Sequence, residues 1–167
     1  MISFNPFYKI IMFPLYYIFH YNIIFGWLHK NYIKVFKYKN LFFNLNDLEI
    51  PLPFHSSFIF KTYELNDRIL LERNLNNRHK CIIIGGGIGF VPALANTITK
   101  NKVLIFEINK KIIKNLELNL ISNKIKFKIF NSNLLLNNKD RKKYYYSNQN
   151  FLATSMFRKS KKKNYIK

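Results

Sequence analysis

The chain has 167 residues, enough for one domain with a sizeable core, and its 49% hydrophobic and 17% aromatic content excludes a disordered tail. Its 28 lysines and arginines against 8 acids give a net charge of +20, a balance that invites nucleic acid or an anionic membrane as partner. Those lysines are spread through text crowded with Asn, Ile, Phe and Tyr, so drift toward AT-rich codons is the simpler source; with no recognition-module motif and no helix face gathering the charge, nucleic acid is disfavoured.

The first stretch, Ile10 to Leu28, is nearly all apolar or aromatic but is interrupted by Pro14, His20, Asn22 and Gly26. It lacks the basic start and small-residue cleavage site of a secretory signal. A helix on the membrane interface, a helix packed on the domain and a true span all remain open. Lys30, Lys34, Lys37 and Lys39 follow and suit an anionic cytoplasmic leaflet, making residues 10–39 the candidate for peripheral membrane contact. Residues 1–34 thus read as an aromatic and basic helical leader.

From Val35 to Phe60 the pattern predicts short antiparallel strands: Phe36 to Lys39, Leu41 to Leu45, and Ser57 to Phe60 beyond Pro51 and Pro53. A helix carrying Tyr63, Leu65, Ile69, Leu70 and Leu75 follows, with Asn66 or Asp67 as its cap and its end near Asn76-Asn77. Cys81 to Ile84 reads as a buried strand, Phe90 to Thr99 as a crossover helix, and Val103 to Phe106 as a second strand ending in Glu107. Lys110 to Ser122 is a second helix with Ile112, Ile113, Leu116 and Leu120 on its apolar face. Ile125 to Phe130 alternates as a third strand. Beyond it lie Asn- and Lys-rich text, an aromatic knot at Tyr144-Tyr145-Tyr146, and a basic end from Arg158 to Lys167 that reads as a solvated tail. The α/β domain is accordingly placed at residues 35–157, with its Rossmann-like core from about residue 80 and the tail at 158–167.

Cys81, the only cysteine, excludes a disulfide framework, points to a reducing compartment and reads as a small buried hydrophobe. His20, His29, His55 and His79 show no metal-ligand spacing. The chemistry is concentrated elsewhere. Gly85, Gly86, Gly87 and Gly89, four of the chain's five glycines, stand at the mouth of the first strand of the core. Such a turn lets a ligand touch the backbone, and four glycines exceed what a turn alone needs. Glu107, at the tip of the next strand, can accept hydrogen bonds from both hydroxyls of a ribose. The dinucleotide spacing Gly-x-Gly-x-x-Gly fails in both registers, because its last place falls on Phe90 or Pro92. The chain spells Gly85-x-Gly87-x-Gly89 instead, the shorter spacing of the S-adenosylmethionine site in class I methyltransferases.

Residues from about Tyr63 to Leu134 resemble the FkbM family of S-adenosylmethionine-dependent methyltransferases. The resemblance rests on Tyr63-Glu64, on IIIGGGIGF from Ile82, on FEINKKIIKNLELNLISN from Phe106 with Asn119 and Asn123 on the family's paired asparagines, and on IKFKIFNSNL from Ile125. Asn150 to Ser155 is similar to a small-residue segment of some members. The likeness implies a Rossmann-like class I fold and O-methylation of a sugar, glycan or other small hydroxylated acceptor. It also implies roles: Gly85, Gly86, Gly87 and Gly89 at the methionine end, Glu107 on the ribose, Asn131 or Ser132 beside the adenine, and Glu64 bordering the cofactor mouth. Ile83 stands where the family carries an acid, and no later strand with an Asp-x-Glu-Gly-like motif is found, so the chain resembles the front portion of such an enzyme, truncated or decayed. An inactive methyltransferase-like fragment that binds a partner or membrane surface is the alternative. No residue stands out as a general base, and no oligomeric state is implied.

Overall fold

The computed structural model describes residues 22–46 and 48–132, together with the backbone of three short strands beyond them. Asn22 starts the first described helix, Ile23–Leu28 (α1), its Oδ1 accepting from the amides of Ile24 at 2.9 Å and Phe25 at 3.2 Å. The backbone continues as a π-turn over His29–Ile33 and is stopped by Lys34 at φ 53°. Gly26 faces Leu52–Ile59 (α2), where any Cβ would run into the Leu52 carbonyl, so the two helices pack backbone against backbone. Of the three readings of Ile10 to Leu28, packing on the domain therefore holds for its described end. Residues 10–21 lie outside the described residues, and no helix among the described residues is long and apolar enough to cross a membrane.

Helix α2 replaces the strand expected at Ser57 to Phe60. Pro51 precedes the helix and Pro53 sits in its first turn, where a missing N–H costs nothing and the fixed φ favours helix entry. The two prolines that read as strand punctuation are a helix start. The hairpin is as expected: Val35–Tyr38 (β1) pairs antiparallel with Leu41–Asn44 (β2) across Lys39-Asn40. Phe36 and Phe43 face inward and are buried together with Phe58 of α2, Tyr63 and Phe90. Phe90 makes T-shaped contacts with Phe36 at 5.2 Å and with Phe43 at 5.8 Å, so this aromatic cluster joins the N-terminal part to the α/β core. The next helix, Leu65–Asn74 (α3), buries no residue, and its cap is Glu64 in left-handed conformation; Asn66 and Asp67 lie within its first turn instead of capping it.

Three parallel strands follow in the order Ile82–Ile84 (β3), Val103–Phe106 (β4) and Phe127–Phe130 (β5), joined by Phe90–Thr99 (α4) and Lys110–Ser122 (α5). Both connecting helices match the sequence expectation. The fold is mixed α/β with a three-stranded parallel sheet. Val103, Ile105, Ala93, Leu94, Leu116 and Leu120 form its centre, with Ile83, Phe127 and Ile129 packed against them from the same sheet face. The other face is open: Ile82 and Ile84 are 58% and 67% exposed, and Phe106 stacks on Phe130 at 4.8 Å. The strand read as buried is thus buried on one face only, because both crossover helices contribute to a single core. Cys81 is half-buried, and burial raises its thiol pKa, so it stays an unreactive thiol at neutral pH.

The hairpin is fastened to the core by an asparagine ladder along α5. Asn123 takes both backbone groups of Phe42, its Oδ1 accepting at 2.8 Å and its Nδ2 donating at 2.6 Å. One turn earlier Asn119 does the same for Asn44, at 2.8 and 3.1 Å, and Asn115 donates to the Asn44 and Asn46 carbonyls. Alternate residues of an antiparallel strand point their N–H and C=O outward, and side chains four apart on a helix lie on one face. The amides therefore stand in for a third strand.

Five of the six non-glycine residues with positive φ among the described residues are lysines: Lys34, Lys39, Lys61, Lys100 and Lys124. Lys100 and Lys124 terminate α4 and α5 in a conformation for which glycine is the usual occupant. Replacing either by glycine is expected to raise stability by about 0.5–1 kcal/mol through relief of Cβ strain, whereas alanine gives no gain. Thermal unfolding of the two glycine variants beside the two alanine variants checks this.

At the C-terminal end, Tyr145–Ser147 (β6) pairs antiparallel with Thr154–Ser155 (β7) and with Tyr165–Ile166 (β8). The stretch expected as a solvated tail therefore contributes a strand at Tyr165–Ile166, which adds backbone hydrogen bonding to the segment of the tyrosine knot.

Candidate functional site

The parallel pairing of β3 with β4 sets Ile84 beside Phe106, so the glycine turn and Glu107 leave adjacent strand ends together. Gly85 continues the ladder, donating to the Phe106 carbonyl at 2.8 Å. The Gly86 amide then donates to Glu107 Oε2 at 2.9 Å, and the Asn109 amide donates to Oε1 at 2.7 Å. The carboxylate is 5% exposed and thus ties the glycine turn to the start of α5. Each oxygen accepts one N–H and has further acceptor capacity. Asn109, which the sequence did not mark, also caps α5 through its Oδ1 on the Lys111 amide at 3.1 Å.

Every glycine of the turn has a structural reason, which corrects the expectation that four exceed the need of a turn. Gly85, Gly87 and Gly89 hold φ of 86°, 52° and 95°. Gly86 has an ordinary φ, but a Cβ there would overlap Leu116 and come within 3.1 Å of Ile105. Gly85 opens onto free space, where an added Cβ meets nothing within 4 Å. The turn closes with the Gly89 amide on the Gly86 carbonyl at 2.9 Å, and α4 begins at Phe90.

The remaining expected residues fall in two places. Asn131 lies just beyond β5 and donates from Nδ2 to the Glu107 carbonyl at 2.9 Å, so it braces the strand end that carries the acid; Ser132 beside it is exposed. Tyr63-Glu64 reaches the turn through the aromatic cluster, the Tyr63 ring lying 6.1 Å from that of Phe90. Asn119 joins the set from α5 by donating to the Ile88 carbonyl inside the turn at 2.9 Å. Thus Gly86, Glu107, Asn119 and Asn131 share one hydrogen-bonded frame, while Glu64 lies outside it, next to Tyr63 and Asp67. Among the described residues no three His, Cys, Asp or Glu side chains are grouped to hold a metal.

Burial pushes the Glu64 carboxyl up to about 7, with the Tyr63 hydroxyl pulling the other way and Asp67 adding to the rise. Tyr63 is itself held well above its ordinary range by burial and by Glu64; its hydroxyl has no hydrogen bond of ordinary geometry. An acid whose folded pKa exceeds its unfolded value stabilises the fold at low pH and loses that contribution as pH rises through about 7. Wild type should therefore lose stability between pH 5 and pH 8. Glu64→Gln should be flatter, similar at pH 5 and more stable at pH 8 by on the order of 2–3 kcal/mol, as urea midpoints at the two pH values will show.

Comparison with known proteins gives no match to a family model, to a curated protein or to a solved structure.

Proposed function

We propose that this chain is the nucleoside-binding part of an S-adenosylmethionine-dependent methyltransferase of FkbM type, with a Rossmann-like class I core, acting on a hydroxyl of a sugar or other small hydroxylated acceptor. The observation that carries the reading is the meeting of the glycine turn after β3 with the acid after β4, closed by the 2.9 Å hydrogen bond from Gly86 to Glu107. Ligands of open parallel sheets bind outside the carboxyl ends of the strands, where these two residues lie. The free space over Gly85 fits a ligand that approaches the backbone itself. In this reading the backbone at Gly85, Gly87 and Gly89 holds the methionine end. Glu107 turns its remaining acceptor capacity to the ribose, and Asn131 keeps Glu107 in place. When bound, S-adenosylmethionine supplies a methyl group on a reactive sulfonium, so the chain's own task is alignment and exclusion of water.

Gly85→Ala tests this without dismantling the frame. Its cost is the left-handed strain alone, about 1–2 kcal/mol, yet its methyl would stand where the ligand must lie. Wild type is expected to bind S-adenosylhomocysteine in isothermal titration and not NAD. Gly85→Ala, shown folded by circular dichroism, should bind at least tenfold more weakly. Folded wild type that takes up no adenosyl ligand ends the proposal.

One observation favours a second reading. Each turn glycine is explained by backbone or packing, and Glu107 is already engaged at both oxygens. A methyltransferase-like fragment without activity would keep the same frame, and the titration separates the two.

A further inference from the structure

Helix α1 and its π-turn have two unlike sides. On one, Gly26 lies against the Leu52 carbonyl, the Phe25 ring makes a T-shaped contact with Phe60 at 5.0 Å, and the His29 ring lies 5.5 Å from that of Phe58. Asn22, Phe25, Gly26 and His29 recur at helical spacing and face α2, which leaves Ile23, Ile24, Trp27 and Leu28 on the outer side. All four are exposed, Ile24 to 70%, and Tyr32 and Ile33 of the π-turn are exposed with them. Trp27 and Tyr32 meet in a T-shaped contact at 5.6 Å, so the turn continues the ridge that the helix begins. Single exposed hydrophobic residues are ordinary. A run of them on a helix held from behind is an unpartnered apolar surface.

The surroundings of the ridge indicate what covers it. Lys30 and Lys34 are exposed at its C-terminal end, and no acid occurs anywhere from residue 1 to residue 46. The first acid, Asp47, lies outside the described residues. The centres of protein interfaces are depleted of lysine, and a second copy would bring two chains of net charge +20 against each other. Tryptophan and tyrosine among aliphatic side chains, with lysine at the border, suit a bilayer interface instead. There the rings lie at headgroup level, the aliphatic groups reach the upper acyl chains and the ammonium groups meet anionic headgroups. The apolar ridge supplies the contact, and the lysines select the charge of the surface.

We propose that the outer side of α1 and its π-turn docks on the surface of an anionic bilayer. Ile23, Ile24, Trp27 and Tyr32 enter the interface, and Lys30 and Lys34 face the headgroups. Docking leaves the packing of α1 on α2 intact, because the two contacts use opposite sides of the helix. It stands independently of the methyltransferase reading.

Trp27 is the only tryptophan of the chain, so its fluorescence reports the contact directly. The full chain is titrated with phosphatidylcholine vesicles made with and without phosphatidylserine. With phosphatidylserine, Trp27 emission is expected to shift to the blue and to be quenched by lipids brominated near the headgroup, at an affinity at least tenfold higher than without it. Ile23→Ser/Ile24→Ser should weaken binding tenfold or more. Leu118→Ser/Ile121→Ser, which removes two comparably exposed aliphatic side chains from α5, should leave it unchanged. Lys30→Gln/Lys34→Gln should lose most of the preference for phosphatidylserine, whereas Lys126→Gln/Lys128→Gln should keep it; circular dichroism checks that each variant is folded. Vesicle binding that leaves Trp27 emission unmoved places the contact elsewhere in the chain and overturns the proposal. Equal loss in the α1 and α5 serine variants, or equal affinity for the two kinds of vesicle, overturns it too. Without lipid, acrylamide should quench Trp27 freely. A shielded Trp27 in a monomer would mean that the chain covers its own ridge, and shielding that grows with dimerisation would assign a second copy; either result ends the proposal.

Discussion

Replacing Asn119 by alanine is expected to destabilise the fold by about 3–5 kcal/mol, more than loss of any other polar side chain of the ladder. Asn119 is 2% exposed and serves two elements at once, the outer edge of β2 through both backbone groups of Asn44 and the glycine turn through the Ile88 carbonyl. Alanine leaves an N–H and carbonyl groups buried and short of partners, each costing about 1–3 kcal/mol. Aspartate is the sharper probe. It keeps the volume and the acceptor for the Asn44 amide but aims a carboxylate oxygen at the Ile88 and Asn44 carbonyls, so it should cost at least as much as alanine. Asn123 is half-buried and bonds Phe42 nearer to solvent, so Asn123→Ala should cost only about 1 kcal/mol. Urea unfolding of the three variants ranks them, and an Asn119→Ala no worse than Asn123→Ala would remove the ladder's central role.

This fastening also shows where the sequence was readable. The crossover helices were legible because Ile112, Leu116 and Leu120 repeat at helical spacing and are buried at that spacing. The asparagines on the same helix follow an equally regular step of four, but polar residues at that step look like a solvated face. Nothing local says that a strand edge lies opposite. The resemblance singled out Asn119 and Asn123 without a physical reason, and the hairpin 75 and 81 residues away supplies it. His29 and His55 were illegible for the same cause: 26 residues separate them, and only the packing of α1 on α2 brings their rings together.

The glycine turn was legible in position and overread in meaning. Three of its glycines answer to backbone conformation and Gly86 to Leu116, so their number measures the tightness of a turn under a packed helix. What remains specific for a ligand is the open side of Gly85. The charge was likewise only partly readable. Lysine at five left-handed positions, four of them at helix ends where glycine is the usual occupant, fits a composition driven toward lysine codons better than selection for an anionic partner over the whole surface.

The carboxylate of Glu107 should be as costly to alter as Asn119. Glutamine at 107 keeps the shape but turns one acceptor into an NH₂ group, which must face the amide of either Gly86 or Asn109. A charge-assisted hydrogen bond is lost and two donors are set against each other in a buried place, so Glu107→Gln should cost about 3–4 kcal/mol. Amide exchange locates the damage: protection should fall first at Gly86 and Asn109, while Ala93 and Leu116, inside the flanking helices, stay protected until global unfolding. Undiminished protection at Gly86 would mean that the turn does not depend on the acid. The same argument decides how ligand binding must be tested. A Glu107 variant that fails to bind has lost the turn as well as any contact between the acid and a ligand, so its silence says little about a ligand. Gly85→Ala adds one methyl to open space and leaves every hydrogen bond of the frame in place, and so separates a working adenosyl site from a turn that merely joins a strand to a helix.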